Sequence, residues 1–163
     1  MQLAIFSDTH DNIWKLDNAL ILMADADVLI HCGDLCSPFV VKRLGESAKG
    51  RPVHIVLGNN DGDGRLILEI ASRYPAIFLH GALAEIEVDG LKIAINHYPE
   101  IARPLAASGS YDLVCYGHDH TAYEERTEST VLLNPGELMG LNDKTTFATF
   151  DTQSKKVVFV EVQ

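Results

Sequence analysis

Seven side chains of metal-binding type stand at the ends of short apolar runs: Asp8, His10, Asp34, Asn59, His97, His118 and His120. Leu3-Ala4-Ile5-Phe6 leads into Ser7-Asp8-Thr9-His10, and Val28-Leu29-Ile30-His31-Cys32 leads into Gly33-Asp34. Residues 53–57 end in Gly58-Asn59-Asn60-Asp61, residues 91–95 in Asn96-His97, and residues 113–116 in Gly117-His118-Asp119-His120. Apolar runs of this length, stopped by Gly, Asn or Asp, predict buried strands. In sheets built from βα units, ligand sites gather outside the carboxyl ends of the strands. Five such ends carrying carboxylates, imidazoles and an amide therefore predict one cleft holding two metal ions.

Asp8 and His10 are two residues apart, as are His118 and His120. In an extended segment each pair faces one side and can reach one ion. Gly33 before Asp34, and Gly58 before Asn59, predict sharp exits that turn a side chain into the cleft. Mixed oxygen and imidazole donors suit Mn²⁺, Fe, Ni²⁺, Co²⁺ or Zn²⁺, with Mn²⁺ favoured; a set without histidines would suit Mg²⁺ or Ca²⁺.

The elements needed to hold these groups can be read in order. Asn12 is a helix cap ahead of Ile13, Leu16, Leu20 and Met23, apolar at spacings of three and four. Ser37-Pro38 predicts a second helix start with a capping hydroxyl, its inner face Val40, Val41 and Leu44 and its end at Gly45 or Gly50. Leu66, Ile67, Ile70 and Ala71 predict a third helix after the loop 58–64. This β-α-β-α-β-α order implies parallel strands with right-handed crossovers. The second half is richer in strands: 83–88 and 91–95 flank Asp89-Gly90, a type I′ hairpin signal, and strands follow at 112–116, 122–125, 130–133, 146–150 and 157–162. A helical stretch over 100–107 is expected to be interrupted at Pro104, and Asn134-Pro135-Gly136 reads as a turn. The expected architecture is α/β, two packed mixed β-sheets flanked by helices, in a single domain over 1–163.

The chain has 163 residues, 47% hydrophobic and 22% charged, ordinary for a globular protein. Its net charge of −10 lacks the basic footprint of a nucleic-acid binder, so nucleic acid is not expected as a partner. No apolar run reaches the roughly 20 residues of a membrane span, and the N-terminus carries no signal-peptide pattern. Three cysteines without framework spacing point to a reducing compartment, so a cytoplasmic location is expected.

Asp8-Thr9-His10, Gly33-Asp34, Gly58-Asn59-Asn60-Asp61, His97 and Gly117-His118-Asp119-His120 together resemble the ordered blocks of the calcineurin-like metallophosphoesterases. The short length and the Leu133-Asn134-Pro135-Gly136 turn resemble the small microbial phosphodiesterase (YfcE-like) branch. The resemblance implies a four-layer αββα sandwich. It also implies Asp8, His10 and His120 on one metal, Asn59, His97 and His118 on the other, and Asp34 bridging. The implied activity is hydrolysis of small phosphate esters, in particular phosphodiesters, by a hydroxide shared between two divalent transition-metal ions. Asp34, Asn59, His97 and the supporting Asp61 are then the catalytic set. Many relatives carry a histidine where Asn60 stands, and an amide cannot protonate a leaving group, so esters with good leaving groups are expected. Asp11, Asp119 and Glu137 also depart from the family pattern, with Asp11 and Asp119 expected beside the cleft.

Taken singly, Asp8, Asp34, Asn59 and His118 could be turn or capping residues; as an ordered set they read as ligands. Asp61 reads as a partner for a ligating histidine or a loop amide, and His31, inside an apolar strand, as a hydrogen-bonded core residue. His54 and His80 read as structural or exposed, and Cys32, Cys36 and Cys115 as buried thiols. The competing function is a protein-binding scaffold on the same fold, as in the retromer scaffold subunit, with little or no turnover. A homo-oligomer is compatible with the sequence.

Overall fold

The computed structural model describes residues 1–142 and 144–163. The parallel half of the expected order is present as β1 (Gln2–Phe6), α1 (Ile13–Leu22), β2 (Val28–His31), α2 (Pro38–Ser47), β3 (Val53–Ile55), α3 (Gly64–Ala71) and β4 (Ile77–Leu79). The second half holds β5 (Leu83–Val88), β6 (Leu91–Asn96), α4 (Pro99–Ala107), β7 (Leu113–Cys115), β8 (Tyr123–Arg126), β9 (Val131–Asn134), β10 (Thr146–Asp151) and β11 (Val157–Glu161). One sheet has the order β11-β10-β1-β2-β3-β4, in which β1 to β4 are parallel and β10 and β11 antiparallel. The other has the order β5-β6-β7-β9-β8, with β6, β7 and β9 parallel.

Alternation along the strands divides the core. Ala4 and Phe6 of β1 face α1, α2 and α3 in one cluster, while Leu3 and Ile5 meet Ile93, Ile95, Leu113 and Leu133 of the second sheet in another. Ala94, Val114 and Leu132 turn outward onto Ala102 and Ala106 of α4. Strands buried on both faces read as unbroken apolar runs. The result is the four-layer αββα sandwich.

Several local expectations need adjusting. β4 was absent from the sequence reading, because three residues after Pro75 are too short a run to show a period. α2 passes through Gly45, where the Tyr74 ring packs directly against the backbone, and Ser37 makes no side-chain cap. α4 continues through Pro104. The carbonyl that Pro104 leaves without a donor belongs to exposed Glu100, while Ala102 and Ala106 anchor the helix. Asp89 (φ 53°) and Gly90 (φ 78°) form the turn between β5 and β6, both at the positive φ that a type I′ turn requires.

Candidate metal centre

The tips of β1, β2, β3, β6 and β7 bring all seven expected donors to one place. The backbone there is not extended: Asp8 (φ 53°), His10 (φ 42°), Asp34 (φ 57°), His118 (φ 72°) and His120 (φ 55°) are all left-handed. The i, i+2 pairs therefore converge through strained turns instead of strand alternation. Each such residue costs on the order of 1 kcal/mol, and Asp and His tolerate it better than most. Cross-ties hold it: Asp8 N–H donates to Gly33 O at 3.0 Å, His10 N–H to Asp34 O at 3.1 Å, and Gly117 N–H to His97 O at 3.1 Å. Gly33 has φ 98°, and a Cβ on it would lie 2.7 Å from His97 Nδ1. Gly58 does not use a positive φ; it is needed because a Cβ would collide with the Asp34 carboxylate.

Two groups of donors form. In the first, His120 Nε2 lies 3.3 Å from Asp8 Oδ1, and His10 Nε2 lies 3.4 Å from Asp34 Oδ2. In the second, Asn59 Oδ1 is 3.1 Å from His97 Nε2 and 3.0 Å from His118 Nδ1, and those two nitrogens are 3.3 Å apart. Asp34 Oδ2 is also 3.4 Å from His97 Nε2, so this one oxygen faces both groups. Asp8, Asp34 and His97 are buried, His10 and His120 half-buried, and Asn59 and His118 exposed.

This donor set fits divalent ions. His97 Nδ1 sits 2.9 Å from Cys32 O, which can only accept, so the proton is on Nδ1 and the Nε2 lone pair points into the cluster. His10 Nε2 is buried without a hydrogen-bond partner. Burial pushes the Asp8 carboxyl up from its ordinary value. For Asp34 burial alone would do the same, but the adjacent His97 and the hydrogen bonds from Asn60 hold it well below the carboxylate range. Burial likewise opposes protonation of His97, yet Asp34 raises its pKa. Negative charge and lone pairs packed this closely are what a cation relieves.

The surrounding residues act mostly on loops. Asn60 donates its backbone N–H to Asp34 Oδ1 at 2.8 Å and its side-chain amide to Oδ2 at 2.7 Å. Asp61 Oδ1 accepts from Cys36 N–H at 2.7 Å, and Oδ2 from Gly58 N–H at 2.7 Å and Asp34 N–H at 3.2 Å. Of its two expected roles, Asp61 thus takes the one toward loop amides. The Asp11 carboxylate accepts from both the N–H and the hydroxyl of Ser37, tying the β1 tip to the start of α2. Exposed Asp119 lies between His118 and His120. Glu137, fully buried, accepts from Gly140, Leu141 and Asn142 N–H at 2.7, 3.1 and 3.2 Å, and Asn142 in turn donates to His120 O at 3.1 Å. That loop walls a recess of about 640 Å³ beside His120, also lined by Thr121, Ala122 and Lys144. Sequence reasoning missed the loop-holding role of Glu137, because its three partners lie within five residues and carry no side-chain signal.

His31 is the expected hydrogen-bonded core residue. Its Nδ1 accepts from Gly33 N–H at 3.1 Å, which places the proton on Nε2, facing the Thr9 hydroxyl. Burial, then the nearby histidines, push its pKa from the usual 6.5 to about 3. The native ring stays neutral while the unfolded one takes a proton below 6.5, so this contribution is complete above 6.5 and is lost as pH falls from there toward 3. The slope is about 1.4 kcal/mol per pH unit, or about 2 kcal/mol between pH 6.5 and 5. Urea unfolding in chelator at those two pH values is expected to show that loss together with the one from His54, whose pKa burial and His80 hold at about 4, and His31→Gln is expected to shrink the total by about 2 kcal/mol. His54 and His80 are stacked away from the cluster, with Nδ1 and Nε2 2.9 Å apart. Cys32 and Cys115 are buried as expected, but Cys36 is only half-buried.

Residues 1–155 match the model of the calcineurin-like phosphoesterase superfamily domain. The chain belongs to that superfamily. It is 32% identical over 161 residues to phosphodiesterase MJ0936 of Methanocaldococcus jannaschii, covering 96% of each chain. A solved archaeal phosphodiesterase superposes with a TM-score of 0.90 at 30% identity, over 99% of this chain and 100% of that one. YfcE, a phosphoesterase from E. coli, shares the fold, with a TM-score of 0.69 and 18% identity over the full length of both. Membership places this calcineurin-like phosphoesterase among phosphoric ester hydrolases and implies divalent metal ions. Among the described residues, no helix is long and apolar enough to cross a membrane.

Proposed function

We propose that this chain is a dinuclear metallophosphoesterase that hydrolyses small phosphodiesters with good leaving groups. One observation supports this above the others: a single oxygen, Asp34 Oδ2, lies 3.4 Å from His10 Nε2 of one donor set and 3.4 Å from His97 Nε2 of the other. Asp8, His10 and His120 hold the first ion, Asn59, His97 and His118 the second, and Asp34 both, with Mn²⁺ the preferred metal. When bound, such a pair acidifies water and neutralises the non-bridging phosphoryl oxygens.

The chain's own residues do the rest. The Cys32 carbonyl holds His97 in its ligating tautomer, and Asn60 orients both oxygens of Asp34. The recess beside His120 has room for one esterified organic group. Metal-stripped protein is expected to be inactive on bis(p-nitrophenyl) phosphate and to recover turnover with Mn²⁺, Ni²⁺ or Zn²⁺. Absence of turnover with all three would defeat the proposal and leave the scaffold reading standing.

Asp61 offers a milder test. Its two oxygens accept three N–H bonds from the turns that carry Asp34 and Asn59, so Asp61→Asn sets an amide NH₂ against a backbone donor. Metal affinity is expected to fall about 10- to 100-fold, a typical cost of disturbing the support of a ligand. Isothermal titration of the metal-free variant with Mn²⁺ measures it.

A further inference from the structure

Each imidazole that offers one nitrogen to an ion must have its other nitrogen fixed, because that second contact chooses the tautomer. For His97 the choice is made by a carbonyl, which can only accept. For His10 the partner is different. Its Nδ1 lies 3.4 Å from Cys36 Sγ, within hydrogen-bond reach for sulfur, while its Nε2 is the buried nitrogen without a partner.

Cys36 is held for this contact. Its backbone sits at φ 71°, and its N–H donates to Asp61 Oδ1 at 2.7 Å. The thiol stands on the Nδ1 side of the ring, opposite the Nε2 that faces Asp34, so it is not itself placed to ligate the same ion. A thiol both donates and accepts weakly, so it imposes less on His10 than the Cys32 carbonyl imposes on His97.

We propose that Cys36 is a positioning residue: its sulfur accepts the His10 Nδ1–H and so aims the Nε2 lone pair at the first ion, setting that ion's affinity. The inference rests on the two-ion reading above. It extends the site to a side chain outside the ordered motif blocks.

The test is a Co²⁺ titration of metal-free protein, followed by visible absorption and calorimetry, with the first position identified as the binding phase that His10→Ala removes. Cys36→Ala is expected to weaken that phase about tenfold, with the other phase unchanged within twofold. Cys36→Ser, which keeps an acceptor on the same carbon, is expected to restore it to within threefold. Unfolding in chelator reports separately on any cost to the fold. An unchanged first phase in Cys36→Ala, equal weakening of both phases, or no rescue by serine overturns the role of Cys36 alone. Uptake of fewer than two ions by the wild type overturns the two-ion reading, and this inference with it.

Discussion

Asp34→Asn is expected to reduce kcat/KM for bis(p-nitrophenyl) phosphate about a thousandfold or more and to lower bound metal from two ions per chain to one or none. The size follows from position. Asp34 Oδ2 is 3.4 Å from His10 Nε2 in one donor group and 3.4 Å from His97 Nε2 in the other. The substitution removes a full negative charge from a 1%-exposed site and puts N–H bonds, in one amide orientation, where both ions would draw electrons. Stabilisation of the transferring phosphoryl group by metal is worth several kcal/mol, and about 4 kcal/mol is a factor of roughly a thousand. The fold should survive, because Asn60 can still donate to the remaining amide oxygen. Metal content by mass spectrometry, kinetics, and unfolding in chelator together decide it. Hydrolysis within tenfold of wild type would sink the shared-ligand role even if the fold were intact.

The order of these donors was legible in the sequence because strand ends are. An apolar run stopped by Gly-Asp or Gly-His has few alternatives, and parallel strands deliver their carboxyl ends to one edge. How the side chains turn inward was not legible. Asp8-x-His10 suggests an extended pair, yet both residues are left-handed, and sequence gives no sign of φ at an Asp or His that tolerates either hand. Gly58 was visible as a glycine, but its reason is the approach of Asp34, 24 positions earlier in the chain. Ser37 before Pro38 looks like a cap, and the hydroxyl is instead taken by Asp11 across a 26-residue gap. The same separation hides Cys36 behind His10. Local rules locate ligands; what orients them is nonlocal, and those contacts exist only after the sheets have formed.

Phosphate esters that differ only in leaving group are expected to separate by three orders of magnitude or more in kcat/KM, with p-nitrophenolate esters fast and alkyl esters near background. The reason is Asn60. Its backbone N–H and its side-chain amide both donate to Asp34, and an amide has no proton to release at neutral pH. The Asp61 carboxylate is occupied by three backbone donors and is equally unable to serve. A positioned general acid contributes about 10²- to 10⁴-fold when the departing oxygen is basic, and almost nothing when it leaves readily as an anion. Without such an acid at position 60, rate is lost selectively at the alkyl end of the series. Asn60→His puts a titratable group in that place and is expected to raise methyl p-nitrophenyl phosphate turnover little, but dialkyl and alkyl monoester turnover about 10- to 100-fold. The p-nitrophenyl rate also reports whether Asp34 has kept its orientation, because the backbone N–H of residue 60 still reaches Oδ1. A histidine variant that keeps that rate yet leaves the alkyl esters where they were would show that proton delivery does not limit the reaction, and the preference would then have to come from how the recess beside His120 accepts the organic group.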